Sequence, residues 1–217
     1  CGAEQAFECS RGLRPVAAAV KMLADSYAAD GAEKLSALFT DQRLLQAYLL
    51  YYLPVNMVKL YPVLDELLMN KPAALRTGQC LNVLDLGCGP GTYVLGFLEY
   101  VRKNRGLFSS LSRITCLGVD RSRDCLHAAS SMAGAYAAAG TFPADIAWSS
   151  SFRPTPYNLP RALADRGGTA ERFHIVIAGN VLTELRAQDI QPLLRALDAC
   201  MAQESALIVI DPGTQRS

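Results

Sequence analysis

The stretch that most constrains this chain runs from Asn82 to Thr92, Asn-Val-Leu-Asp-Leu-Gly-Cys-Gly-Pro-Gly-Thr. Its opening, Val83-Leu84-Asp85-Leu86, is a short apolar run of the kind that forms a strand buried on both faces of a parallel sheet. Three glycines follow, Gly87, Gly89 and Gly91, and an apolar helical pattern begins at Tyr93. A strand, a turn that only glycine tolerates, and a helix whose N-terminal amides face the space above the strand make a cradle for a nucleotide-like ligand. A dinucleotide site places glycines at positions 1, 3 and 6 of its fingerprint. Counted from Gly87, position 6 is Thr92, and the third glycine arrives one residue early at Gly91.

The remaining patterns extend this unit in both directions. Before it, residues 1–76 read as helical: Val16, Val20, Leu23 and Tyr27 recur at helical spacing, a second segment covers Leu35–Phe39, and a third runs from Arg43 to Leu53. Pro54 is expected to stop that third helix, and Pro62 to kink the next. Tyr48, Tyr51, Tyr52 and Tyr61 invite a base-stacking reading, against which stands ordinary packing of aromatics at helical spacing. After the glycine turn come a helix from Tyr93 and a strand over Ile114–Asp120. An alanine-rich helix over Cys125–Ala139 and a strand over Ile146–Ser149 follow. A further strand spans Phe173–Ala178, and a helix near Asp189 has Pro192 in its first turn. The last strand covers Ala206–Ile210. Strands alternating with helices predict an α/β, doubly wound, mostly parallel sheet over residues 77–217, behind a helical region over 1–76.

In such a sheet ligands sit at the carboxyl ends of the strands. Asp120 would project to the same rim as the glycine turn, where its carboxylate can accept both ribose hydroxyls or cap the helix beginning near Ser122. Asn180, Thr183 and Glu184 follow the fourth strand and fall where a substrate would approach; Asn180 and Glu184 are the candidate catalytic groups. Trp148, the single tryptophan, suits either an adenine pocket or the core. Arg153, Arg161, Arg166 and Arg172 punctuate the long connection after Ser149, as a solvated loop or as contacts to RNA phosphates.

Composition excludes several classes. A net charge of +1 gives no global electrostatic signal for nucleic acid. No apolar run approaches the ~20 residues of a membrane span. The 7 cysteines include no Cys-x-x-Cys pair and offer no metal site; they read as reduced thiols of an intracellular compartment, cytoplasm or mitochondrial matrix.

The form Asp85-x-Gly87-x-Gly89-x-Gly91, followed by a strand ending in Asp120, resembles the signature of class I methyltransferases that use S-adenosylmethionine. That resemblance implies S-adenosylmethionine as cofactor, held by Asp85, Gly87, Cys88, Gly89, Gly91, Asp120 and Asn180. Amino-group methyltransferases often carry Asp/Asn-Pro-Pro-Tyr after the fourth strand; Ala178-Gly179-Asn180-Val181 does not match it. A narrower resemblance rests on Tyr52-Leu-Pro54, Tyr61-Pro-Val-Leu-Asp-Glu-Leu67, Val181-Leu-Thr-Glu-Leu185 and Ile210-Asp-Pro-Gly-Thr214. These are similar to the mitochondrial small-ribosomal-subunit methyltransferase-like (Rsm-type) family, which also has bacterial members. It implies association with the small ribosomal subunit or its RNA, and methylation of ribosomal RNA. Members carry an iron–sulfur cysteine cluster after the Pro-Gly-Thr segment, so that cluster is expected only if the native protein continues beyond Ser217. A class I sheet should continue past the fifth strand, and a longer native protein is therefore expected. Two other readings stand beside this one: a ribosome-assembly or RNA-binding factor without turnover, and a small-molecule methyltransferase with a helical lid over residues 1–76.

Overall fold

The computed structural model describes residues 3–28, 40–76, 78–154, 172–181, 185 and 187–211, with the backbone alone for 3–13, 27 and 28. The described chain divides into two compact units, Cys1–Val55 and Asn56–Ser217, so the expected division after residue 76 falls inside the second. The first unit holds α1 (Ala3–Ala28), α2 (Gln42–Ala47) and a π turn at Tyr48–Tyr52. Leu23, Leu44 and Ala47 are buried in it, and Tyr48 stacks on Tyr52 with ring centroids 5.7 Å apart. Packing is thus the role the structure gives this tyrosine pair. The Leu35–Phe39 segment lies outside the described residues.

Pro54 does not stop the helix. α3 (Leu53–Asn70) continues through both Pro54 and Pro62. The reason lies in the π turn, where Leu53 N–H donates to the carbonyl of Tyr48, five residues back. The wider turn re-phases the hydrogen-bond ladder just before a residue with no N–H to give, which removes the usual penalty of an interior proline.

The second unit is built on five parallel strands, β1 (Cys80–Leu86), β2 (Arg113–Asp120), β3 (Ala147–Pro154), β4 (Phe173–Gly179) and β5 (Met201–Ile210), in the order β3-β2-β1-β4-β5. β1 pairs with β2 from Cys80↔Arg113 to Leu86↔Val119, and with β4 from Val83↔Ile175 to Leu86↔Ala178. The chain order therefore reverses between β1 and β4, and the crevice above these two strands is the topological switch point of a doubly wound, Rossmann-like sheet.

Alternation along the strands makes two cores. Leu81, Val83, Ile114, Cys116, Ile175, Ile177 and Ile208 face α3 and α4 (Thr92–Lys103). Leu84, Leu86, Leu117, Val119, Val176 and Ala178 face Leu193 and Leu197 of α6 (Ala187–Cys200). α4 is apolar around most of its girth because it lies between the sheet and α3, whose Leu60 and Leu64 are fully buried. Tyr100 of α4 packs on Tyr61 and donates its hydroxyl to Asp65 at 2.5 Å, tying the two helices together. α5 (Arg123–Ala138) uses Ala129 and Ala133 to pack closely.

Three elements differ from expectation. β3 does not end at Ser149 but runs to Pro154, its exposure alternating as befits an edge strand, where a proline at the last position loses no ladder bond. α6 begins at Ala187, which moves Pro192 from the first turn to the second. β5 begins at Met201, with a register irregularity between Phe173↔Met201 and Ile175↔Ala206 that absorbs its polar start. No described helix is long and apolar enough to cross a membrane.

Candidate functional site

Asp85 is the next-to-last residue of the central strand, on the α4 side, and fully buried. Neither carboxylate oxygen accepts a hydrogen bond. Burial pushes its carboxyl well above the usual range; the Val94 N–H at the start of α4 pulls the other way without closing a bond, and the Asp120 carboxylate adds to the rise. A buried acid without a partner is costly, of order 1–3 kcal/mol, and such groups persist where a ligand supplies what the chain does not.

The turn above it takes positive φ at Gly87 (63°), Gly89 (51°) and Gly91 (85°), a combination closed to other L residues. At Gly87 a methyl group would collide with Val181, 2.6 Å away, whereas at Gly89 it would meet nothing within 4 Å, so the turn presents bare backbone to open space. Gly91 caps α4 by conformation alone. Cys88 is a buried free thiol whose N–H donates to the Val119 carbonyl at 3.0 Å, stitching the turn to β2. Burial pushes the Cys88 thiol well up, and holds Cys116 and Cys125 at about 12, so all three are neutral packing groups.

Asp120, at the end of β2, accepts the Gly89 N–H at 2.8 Å on Oδ2 and the Ser122 N–H at 2.8 Å on Oδ1. The helix cap is Ser122, whose hydroxyl accepts the Cys125 N–H. Asp120 is therefore free of the capping role and holds the glycine turn in place, each oxygen keeping a further lone pair for a ligand hydroxyl.

Asn180 stands at the far side of the crevice. It adopts φ of 57°, and its N–H donates to the Ile210 carbonyl at 2.7 Å. The neighbouring Gly179 carries no side chain because the Tyr93 ring occupies that place: a Cβ would lie 1.9 Å from Cε2. Asp85, Gly87, Cys88, Gly89, Gly91, Asp120 and Asn180 thus share one rim. Thr183 and Glu184 lie outside the described residues. Tyr93, Val181 and Asp211 join that rim: in the sequence Tyr93 reads as an ordinary helix-face residue and the other two only as members of short motifs, and it is the strand order that brings those two to the crevice.

Other candidates fall elsewhere. Trp148 is the second residue of β3, paired with Ile114 near the opposite end of the sheet, and packs edge-to-face on Tyr136 and Phe142, away from any adenine pocket. His174 Nδ1 accepts the Asn82 N–H at 3.0 Å within the sheet. Arg172 also sits at that end, donating to the Met201 carbonyl, while Arg161 and Arg166 lie outside the described residues. No group of three metal-ligating side chains occurs among the described residues.

No protein-family model and no curated protein matches the sequence. The structure is similar to an O-methyltransferase family protein from Burkholderia thailandensis, at 18% identity over 79% of this chain and 42% of that one, with a TM-score of 0.47. It is also similar to the DszA carbon methyltransferase, at 17% identity over 73% and 34% with a TM-score of 0.45. A third is a SAM-dependent methyltransferase from Geobacter sulfurreducens in complex with S-adenosyl-L-homocysteine, at 16% identity over 66% and 47% with a TM-score of 0.39. The chain spans less than half the length of each. The doubly wound fold itself stands on the chain's own strand order, independent of these likenesses.

Proposed function

We propose that this chain binds S-adenosylmethionine at the crevice above β1 and β4 and directs its methyl group to an acceptor. The observation that carries the reading is Asp85: a fully buried carboxyl with two unpartnered oxygens, directly beneath a glycine turn that opens at Gly89. The cofactor's ammonium matches the missing partner, and its ribose hydroxyls match the lone pairs left on Asp120. When bound, the cofactor supplies an electrophilic methyl group on a sulfonium.

The chain's own contribution is placement. Asp85 takes the ammonium, Asp120 takes the ribose while its bond from Gly89 keeps the turn in shape, and the bare turn lets the ligand approach the backbone. Holding two reactants in line can supply ~7–11 kcal/mol of a barrier without any acid or base. Cys88, Cys116 and Cys125 stay protonated and so do not compete as nucleophiles.

Isothermal titration with S-adenosylmethionine tests the assignment. Wild type is expected to bind, and Asp120→Ala to weaken binding about tenfold or more, since two bonds to a charged acceptor are lost. No binding by wild type, or an unchanged Kd in the variant, overturns it.

Association with the small ribosomal subunit and methylation of its RNA remain a separate proposal, supported by the resemblance of short motifs. Co-sedimentation with ribosomal subunits tests it, and transfer of labelled methyl to the subunit RNA separates a working enzyme from an assembly factor without turnover.

A further inference from the structure

We propose that the carboxylate of Asp211, beside Asn180 on the rim, receives the hydrogen of a protic methyl acceptor, a hydroxyl or amine compound, and so forms the acceptor half of the site. This rests on the cofactor reading above. The strand order supplies the first support. Asp120 closes β2 on one side of the β1/β4 crevice, whereas Asp211 follows β5 on the other, so the two acids flank it from opposite directions. If the ribose lies toward β2, the reacting end of the ligand lies toward β4 and β5.

The second support is local. Asp211 follows Ile210, whose carbonyl takes the Asn180 N–H at 2.7 Å, and that bond keeps residues 180 and 211 adjacent. Oδ1 of Asp211 is shut off from solvent and accepts no hydrogen bond. Asn180 holds a left-handed conformation that costs free energy for any residue with a side chain, a strain found at ligand-binding positions. An orphaned carboxylate oxygen and a strained amide residue, neither required by the core, meet at one place.

The chemistry balances. The acceptor's lone pair bonds to the methyl carbon, the carbon–sulfur pair returns to sulfur, and the acceptor's proton passes to Asp211. Burial raises the affinity of this carboxyl for a proton, which suits a group that must accept one.

Sinefungin, a cofactor analogue carrying an amine in place of the sulfonium methyl, places a cation where the methyl would leave. Calorimetry with sinefungin and with S-adenosylhomocysteine is expected to show wild type preferring sinefungin about tenfold or more, the strength of one charge-assisted bond. Asp211→Asn should bring that ratio near one while its affinity for S-adenosylhomocysteine stays the same. A preference that survives the substitution, or none in wild type, overturns the proposal, as does a variant that loses S-adenosylhomocysteine as well. Wild type that binds neither compound overturns the cofactor reading itself.

Discussion

Replacing Asp85 by Asn keeps the shape of the side chain and removes its charge, which turns an unpartnered acid into a measurable pH dependence. The free carboxyl ionises near 3.8, and in the folded chain burial raises it well above that. Between those two values the folded state holds a proton that the unfolded state has released. Stability therefore falls as pH rises, at about 1.4 kcal/mol per pH unit, until the folded carboxyl ionises too. The Asn variant lacks this slope. Relative to wild type it should gain about 1.4 kcal/mol, or roughly 3–6 °C in Tm for a chain of this size, for each pH unit above the free carboxyl's 3.8 over which the folded carboxyl keeps its proton. Glu99, lowered chiefly by its bond from Arg102, and Asp211, raised by burial, titrate in both proteins and cancel in the difference. Denaturant titrations followed by Trp148 fluorescence report on the sheet unit, because the single tryptophan sits in β3. On the proposed cofactor reading, wild type should release a proton on binding S-adenosylmethionine, read as a buffer-dependent binding enthalpy, and the Asn variant should not. Parallel stability curves for the two proteins would refute the reasoning, for Asp85 would then have a partner or be ionised when folded.

Other outcomes follow from packing. Gly179→Ala drives a methyl group into the Tyr93 ring and should cost about 1–3 kcal/mol, read as a lower denaturation midpoint; combining it with Tyr93→Leu should recover part of the loss, and strict additivity would count against the contact. Tyr100→Phe removes the bond to Asp65, which is exposed and can turn to water, so a loss of only about 0.5–1.5 kcal/mol is expected in the same assay.

The part of the fold legible in the sequence is the part whose residues answer to local rules. Val83 to Tyr93 announces strand, turn and helix because apolar run, glycines and periodicity agree. Asp120 could be placed on the rim because a parallel strand ending in an acid has one geometry open to it. What escaped depends on neighbours. Ser149-Ser-Ser-Phe-Arg-Pro154 has the composition of a loop, and pairing with β2 is what makes it a strand. Pro54 reads as a stop, and the π turn ahead of it is invisible without the backbone. Asp120 looks like a helix cap until Ser122 is seen to fill that position. Asp211 lies in the Ile210-Asp-Pro-Gly-Thr214 motif, but nothing local places it on the rim; that comes from Asn180, 31 positions earlier in the numbering and one strand away.

The ring of Tyr93 lying on the bare backbone of Gly179 also limits how a site of this kind can diverge. No side chain fits at 179 while the ring stays, and shrinking the ring alone leaves a hole beneath the end of β4. The pair can change only together, through an intermediate that is either overfilled or hollow. The floor of the crevice is therefore the part of it least free to vary.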